Sequence, residues 1–351
     1  MSAFDEAFAP WQQRVYDQAV AAFEAGRLGH GLLLCGPARL GKRQVAERLA
    51  QRVLCRTPVG NAPCGRCRNC TLFLSRAQAD PIEVRPDGAL AHPWGHAGHP
   101  DAGFVGYAYN DKTKKPRSEI VIEQVRALSE RLALTPQAGG AQIAILDPAD
   151  AINHAAANAL LKTLEEPVPG RYLWLVTAHP QALPATIRSR CQRLEFRLPP
   201  RAEALAWLQA RGHAAKAVQE ALDAARGHPG LADAWLRDGG LALRREVAGE
   251  LAGLERGELA PVALAQRWTG DELVAQRLEF AADLALQDAA RLTDPRRTRR
   301  LAAWFDAANR TRALLRTTVR PDLAVAELLL AWRTDAGAQA VQGRGTNEVR
   351  R

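Results

Sequence analysis

Gly31-Leu32-Leu33-Leu34-Cys35-Gly36-Pro37-Ala38-Arg39-Leu40-Gly41-Lys42-Arg43 is the stretch on which the fold turns. Together with the preceding Gly29 and His30, its first five residues read as a short apolar strand over 29–35, residues 36–43 as a glycine loop, and residues 44–54 as a helix. Strand, glycine loop and helix are the setting in which a G-x4-G-K spacing cradles phosphate. The glycines let backbone N–H groups turn inward, the helix N-terminus adds its dipole, and the lysine reaches the outer phosphates. Gly36, Gly41 and Lys42 are therefore the candidate nucleotide-binding residues. The next position should carry a hydroxyl that ligates Mg²⁺, and it holds Arg43, whose guanidinium cannot ligate a cation. The loop is degenerate: Mg²⁺-dependent hydrolysis is not expected, and ATP binding stays open beside a tight glycine turn with no ligand.

Immediately downstream, Cys64-Gly65-Arg66-Cys67-Arg68-Asn69-Cys70 joins Cys55 in a Cys-x8-Cys-x2-Cys-x2-Cys set. Four thiolates at such spacing fill a tetrahedral zinc shell and leave no position for water, the arrangement of a structural site. Arg56, Arg66 and Arg68 flank the set and favour thiolates. Disulfides or ordinary thiols are the other reading. Cys35 and Cys191 have no partner at motif spacing, and Cys35 reads as a small core residue.

The chain has 351 residues, 47% of them hydrophobic, and 47 basic against 38 acidic side chains, for a net charge of +9. That length supports two or three domains. No apolar run approaches a membrane span, and the first thirteen residues hold Asp5 and Glu6 but no Lys or Arg, so neither secretion nor membrane insertion is expected. Thiols holding zinc suit the cytoplasm. The positive balance favours a polyanionic partner, although it is spread along the chain.

Residues 82–84 read as a strand, and 85–118 as an irregular surface insert. His92, His96 and His99 are expected to be solvated there, since their spacing matches no recognised ligand pattern, with metal binding as the other reading. Its basic end, Lys112, Lys114, Lys115 and Arg117, suits either phosphate contact or a solubilising edge. Residues 119–134 resume helical spacing. A buried strand over 142–147 ends in Asp147, followed by Pro148 where a hydrolytic site would place a Glu to orient water. Asp150 is expected to cap a helix over 151–166. Strands follow at 172–177 and 193–196, three short helices over 201–238, and a wholly helical pattern from Leu241. Residues 294–320 hold eight arginines, read as a solvated helix face with a DNA-facing or subunit-facing patch as the other reading. Residues 335–351 are expected to be a disordered tail.

The Gly36–Arg43 loop, the four-cysteine module, Asn158-Ala159-Leu160-Leu161-Lys162-Thr163-Leu164-Glu165-Glu166-Pro167, Ser189-Arg190-Cys191, Gly227-His228-Pro229-Gly230, and Arg320-Pro321-Asp322 with Leu328–Trp332 carry a resemblance. At these residues the chain resembles the delta-prime subunit family of bacterial DNA polymerase III clamp loaders, within the AAA+ family. The likeness spans residues 1–334, with 85–118 as the main departure. It implies an α/β AAA+ P-loop-type parallel-sheet domain over 1–198 with the zinc module at about 55–75. An all-α lid follows over 199–238 and an all-α oligomerisation collar over 239–334.

The resemblance further implies a hetero-pentameric ring with motor ATPase subunits and delta, acting on a sliding clamp and primer-template DNA. Arg190 would be a finger reaching the neighbour's nucleotide, where its planar cation neutralises charge on the γ-phosphate. Pairing of Arg188 and Arg190 with surface carboxylates is the other reading. With the Mg²⁺-ligand hydroxyl and the catalytic Glu both missing, a stationary subunit without its own ATPase or polymerase activity is expected. An active ATPase motor and a zinc-dependent DNA-binding protein are the rival functions. The motor lacks support at positions 43 and 148, and the cysteine module has only Phe73 to stack a base.

Overall fold

The structure is a computed structural model and describes residues 6–110, 112–315 and 317–344, with side-chain surroundings described as far as Trp332. The chain packs as two units, Met1–Asp233 and Ala234–Arg351.

In the first unit, α1 (Pro10–Glu24) leads to β1 (Gly31–Cys35) and α2 (Lys42–Leu54), then α3 (Arg68–Leu74). Next come β2 (Arg76–Ala77), β3 (His96–Ala97), β4 (Ala102–Val105), β5 (Tyr109–Asn110) and β6 (Lys115–Pro116). The series continues with α4 (Ile122–Ala133), β7 (Gln142–Leu146), α5 (His154–Glu165), β8 (Arg171–Thr177), α6 (Ala185–Arg188) and β9 (Gln192–Glu195). The central sheet runs β4-β7-β8-β1-β9, with every neighbouring pair parallel. This is the parallel α/β architecture expected of the first domain.

β1 reads as a continuous apolar run because helices cover both sheet faces. Leu32 and Leu34 pack with Trp174, Val176 and the apolar faces of α1 and α2. Leu33 and Cys35 point the other way, among Leu173, Leu175 and residues of α4 and α5. Cys35 is thus the core residue expected. Pairing of Cys35 with Thr177 and of Leu146 with Leu175 brings the carboxyl ends of β1, β7 and β8 to one edge. That edge carries the glycine loop and Asp147.

Four expectations fail in this unit. Residues 85–118 are not a surface loop, since Ala102–Val105 forms the edge strand of the central sheet, paired with Ile143–Leu146. A four-residue strand offers too little alternation to be read as one. His92 and His99 are each only 1% exposed. Residues 82–84 make no strand, only a bridge from Val84 to Leu90. Asp150 does not cap the following helix. Asn153 does, accepting from the Ala156 N–H at 2.9 Å, while the Asp150 carboxylate accepts from the Thr177 hydroxyl. A short 3-10 turn over Ala149–Ala151 displaces the helix start by one turn.

α7 (Arg201–Ala210) and α8 (Ala215–Ala224) belong to the first unit, and α9 (Pro229–Arg237) spans the division. The second unit continues with α10 (Gly240–Glu255), α11 (Pro261–Trp268), α12 (Val274–Arg291), α13 (Pro295–Leu314) and α14 (Pro321–Arg344). Three buried tryptophans help fix it, each with its N–H satisfied. Trp268 donates to Glu250 at 2.6 Å, Trp304 to the Leu328 carbonyl at 3.0 Å, and Trp332 to the Leu251 carbonyl at 3.2 Å. α14 runs to Arg344, so residues 335–344 are helix and not tail. Their Ala and Gln content sustains helix despite two glycines. Residues 345–351 lie outside the described residues.

Among the described residues no helix is long and apolar enough to cross a membrane.

Candidate functional site

The glycine loop is shaped by the protein around it. Gly36 has φ +136°, and a Cβ there would lie 2.1 Å from the Phe196 carbonyl oxygen. Gly41 has φ +81°, and a Cβ there would lie 1.6 Å from the Gln12 amide nitrogen. Both positions require glycine on backbone and steric grounds, with protein atoms filling the space that glycine leaves. Gln12 and Trp11 each donate to the Leu40 carbonyl at 3.2 Å, tying α1 to the loop. From the other side, a Cβ on Gly230 would stand 1.9 Å from the Arg39 carbonyl oxygen. Lys42 turns back on the loop, donating to the carbonyls of Gly36 at 2.8 Å and Pro37 at 2.6 Å. Burial depresses the Lys42 ammonium to about 8, against the opposing pull of Asp147 and Asp150.

Arg43 is buried at the centre of an ionic cluster. Its Nε donates to Glu47, Nη1 to Asp147 at 3.3 Å, and Nη2 faces His92 Nδ1 at 3.1 Å. The guanidinium lies 5.0 Å from the centre of the Phe104 ring. Arg85 reaches the same Asp147 oxygen at 3.4 Å, and Arg76 donates to Glu47 at 2.8 Å. Burial opposes the Arg43 charge, but Glu47 and Asp147 outweigh it and hold the guanidinium charged. Asp147, at the strand end where a hydrolytic site would bring a metal, instead meets two guanidinium groups.

His92 extends this cluster. An arginine can only donate, so His92 Nδ1 accepts and its Nε2 carries the proton, facing Glu83 at 3.4 Å. His96 Nε2 approaches the same carboxylate at 2.7 Å. Glu83, His92 and His96 have ligand atoms within 4.8 Å of one another. A metal-bound histidine ordinarily donates from its other nitrogen, whereas His92 faces a donor there, so the geometry fits a hydrogen-bond relay better than a cation site. Burial, followed by Arg43, His96 and Arg85, lowers the His92 imidazole to about 2 and keeps it neutral.

At the opposite end of α2 the four expected cysteines do converge. Cys55 caps α2, and Cys67 caps α3 with its sulfur accepting from the Cys70 N–H at 3.5 Å. The Sγ atoms of Cys55 and Cys67, and of Cys64 and Cys70, are 3.9 Å apart. That is too far for a disulfide and close to the edge of about 3.8 Å of a tetrahedron built on Zn–S bonds of about 2.3 Å. Backbone N–H groups of Cys64 and Cys67 donate to Cys55 and Cys64 sulfur, each at 3.3 Å. The Thr57 hydroxyl, followed by backbone N–H groups, lowers the Cys64 thiol to about 5. The cluster can hold a metal ion. Asn69 anchors it by donating to the Leu54 carbonyl at 2.8 Å.

Arg190 stands apart from both sites. Its Nη2 lies 2.7 Å from Glu165, and Nη1 donates to the Thr186 carbonyl at 2.8 Å, with the side chain 36% exposed. Within this chain it pairs with a surface carboxylate.

Sequence reasoning missed Glu47, Arg76, Arg85 and His92 as partners around the loop. The one available signal was the apolar run Ala89-Leu90-Ala91 before His92-Pro93-Trp94, which suits a buried histidine better than a solvated one.

A family model described as "DNA polymerase III, delta subunit" matches residues 11–200. The DNA polymerase III subunit delta' of Pseudomonas aeruginosa is 34% identical over 264 residues, covering 74% of this chain and 70% of the relative. The protein of the same name from Escherichia coli is 30% identical over 224 residues, 64% of this chain and 59% of that one. Among solved structures, a DNA polymerase III gamma subunit-related protein from Thermotoga maritima aligns with a TM-score of 0.48 at 14% identity, covering 92% of this chain and 99% of that one.

Proposed function

The chain belongs to the delta-prime subunit family of DNA polymerase III, and we propose that it acts as a stationary clamp-loader subunit that completes a neighbouring subunit's ATP site instead of running its own. The observation that carries this reading is Arg43. Where a motor would place a metal-ligating hydroxyl, the loop carries a buried cation paired with Asp147 and Glu47, and Pro148 stands where a catalytic Glu would be. Lys42 is engaged by the loop's own carbonyls. Stable occupancy by Mg²⁺–nucleotide would require these contacts to be rebuilt.

In this reading, residues 199–238 form the lid and 239–334 the collar of a hetero-pentameric cytoplasmic ring. With motor subunits and delta, it places a sliding clamp on primed DNA. Zinc held by Cys55, Cys64, Cys67 and Cys70 is a closed structural cross-link supplying no open coordination position. Arg190, paired with Glu165 in the free chain, exchanges that carboxylate for the γ-phosphate bound by the neighbour. Arginine suits this exchange because its planar fork matches either anion.

The test is DNA-dependent ATP turnover by the reconstituted loader carrying Arg190→Ala, measured beside turnover by this chain alone. The expected outcome is an inactive isolated chain and a loss at the adjoining site on the scale of about 10³-fold or more associated with trans arginines. Unchanged complex turnover removes the finger, and hydrolysis by the isolated chain overturns the stationary role.

A further inference from the structure

Three of the chain's six lysines, Lys112, Lys114 and Lys115, lie within four positions, while arginine is the predominant cation elsewhere. They sit on the β5–β6 hairpin and are all exposed. Asn110 pairs with Lys115 across the two strands, and its side-chain oxygen accepts from the N–H groups of Lys112 at 3.0 Å and Thr113 at 3.3 Å. Tyr109 donates its hydroxyl to the Lys114 carbonyl at 2.6 Å. At the base, Arg117 donates its backbone N–H to the Ala108 carbonyl at 2.9 Å, and Gln124 at the start of α4 donates to Gly106 at 2.9 Å. The backbone is therefore held in place. Among the described residues, none of the three lysines pairs with a carboxylate.

We propose that this hairpin is a nucleic-acid backbone contact, with its lysines meeting successive phosphates of the DNA on which the loader acts. A protein-docking hairpin would place an aromatic or aliphatic anchor at its centre and few lysines. This one presents lysines with only Thr113 between them, preceded by Asp111 and followed by Pro116 and Arg117. Lysine is a hydrated point charge on a flexible stem, suited to phosphate contact without base readout. β4, which leads into the hairpin, ends at the sheet edge bearing the glycine loop. A nucleic-acid backbone as the ligand follows from the charge and composition of the hairpin, whereas the choice of primed DNA rests on the loader reading.

The test uses the full chain, fluorescence anisotropy of a labelled primer–template DNA, and a salt titration from about 50 to 200 mM. Two variants remove equal charge: Lys112→Gln/Lys114→Gln/Lys115→Gln, and Arg296→Gln/Arg299→Gln/Arg300→Gln on α13. The hairpin variant is expected to bind about tenfold more weakly at low salt, with the slope of log K against log salt reduced by about 2 to 3. The α13 variant is expected to keep both. In the reconstituted loader, the hairpin variant is expected to raise the DNA concentration giving half-maximal ATP turnover while keeping the maximum.

Equal losses in the two variants would reduce the effect to net charge and overturn the proposal, as would unchanged DNA affinity. Loss of assembly with DNA affinity intact would make the hairpin a protein contact, also against it. The anisotropy measurement needs no ATP site, so its failure leaves the stationary-subunit reading standing, and failure at Arg190 leaves the hairpin standing.

Discussion

α2 has a sequence motif at each end, and the two have met different fates. At its N-terminus the phosphate-loop spacing is intact, yet the chain's own groups occupy the surroundings: Lys42 on two carbonyls, Arg43 on two carboxylates, Gln12 against Gly41. At its C-terminus the cysteine spacing is also intact, and the sulfurs remain about each other at 3.9 Å with amide donors around them. Glycine and cysteine spacing sets the course of the backbone at both ends. The side chains hung on that backbone, with a guanidinium in place of a hydroxyl at the centre, separate a site filled from within from one whose sulfurs can hold an ion.

The largest expected effect comes from the metal end. On the zinc reading, Cys67→Ala removes both one of the four converging sulfurs and the side-chain cap of α3, and should cost more than about 4 kcal/mol in urea unfolding, together with loss of bound zinc measured by mass spectrometry. Retention of full stability in the zinc-free protein would place the two ends of α2 on the same footing.

At the other end, Arg43→Ala leaves Glu47 and Asp147 without their central cation. Glu47 keeps Arg76 and Asp147 keeps Arg85, so neither carboxylate is left without a cation, and the loss should be about 2–3 kcal/mol in the same measurement. Restored stability on adding Mg²⁺–ATP to this variant would sharpen the contrast, since it would mean that the guanidinium alone keeps the external cation out.

A smaller effect lies in pH. His92 is held to about 2 in the folded chain, so the unfolded chain binds the extra proton. Stability from this group is complete above about pH 6.5 and is lost as pH falls toward 2, amounting to about 2 kcal/mol between pH 7 and 5. Thermal unfolding of wild type against His92→Gln should show the shallower pH slope in the variant, and equal slopes would detach His92 from the cluster. Smallest is Asn69→Ala, which removes the tie to the Leu54 carbonyl and should cost about 1 kcal/mol with zinc retained.

The parallel α/β class, the loop, its missing hydroxyl and the convergence of the four cysteines were legible because each depends on local spacing. β1 was legible because burial on both faces makes it uniformly apolar. β4 was not, being four residues at a sheet edge behind a stretch rich in Gly and Pro. The partners of Arg43 were invisible for a related reason: Glu47 is a turn away, but Asp147 lies 104 positions downstream and His92 lies 49, and nothing in a linear pattern announces that the sheet edge brings them together. Asp150 was misassigned because a 3-10 turn and a following Asn153 are locally as good a helix start as Asp150 itself.

The close approach of Gly230 to the Arg39 carbonyl removes a degree of freedom. There is no room for even a methyl group between that carbonyl and the first turn of α9, so any side chain at position 230 would have to push the loop backbone aside. The shape of the glycine loop is thus written partly at a position almost two hundred residues downstream, and a single added carbon there would be felt where the phosphate-loop spacing begins.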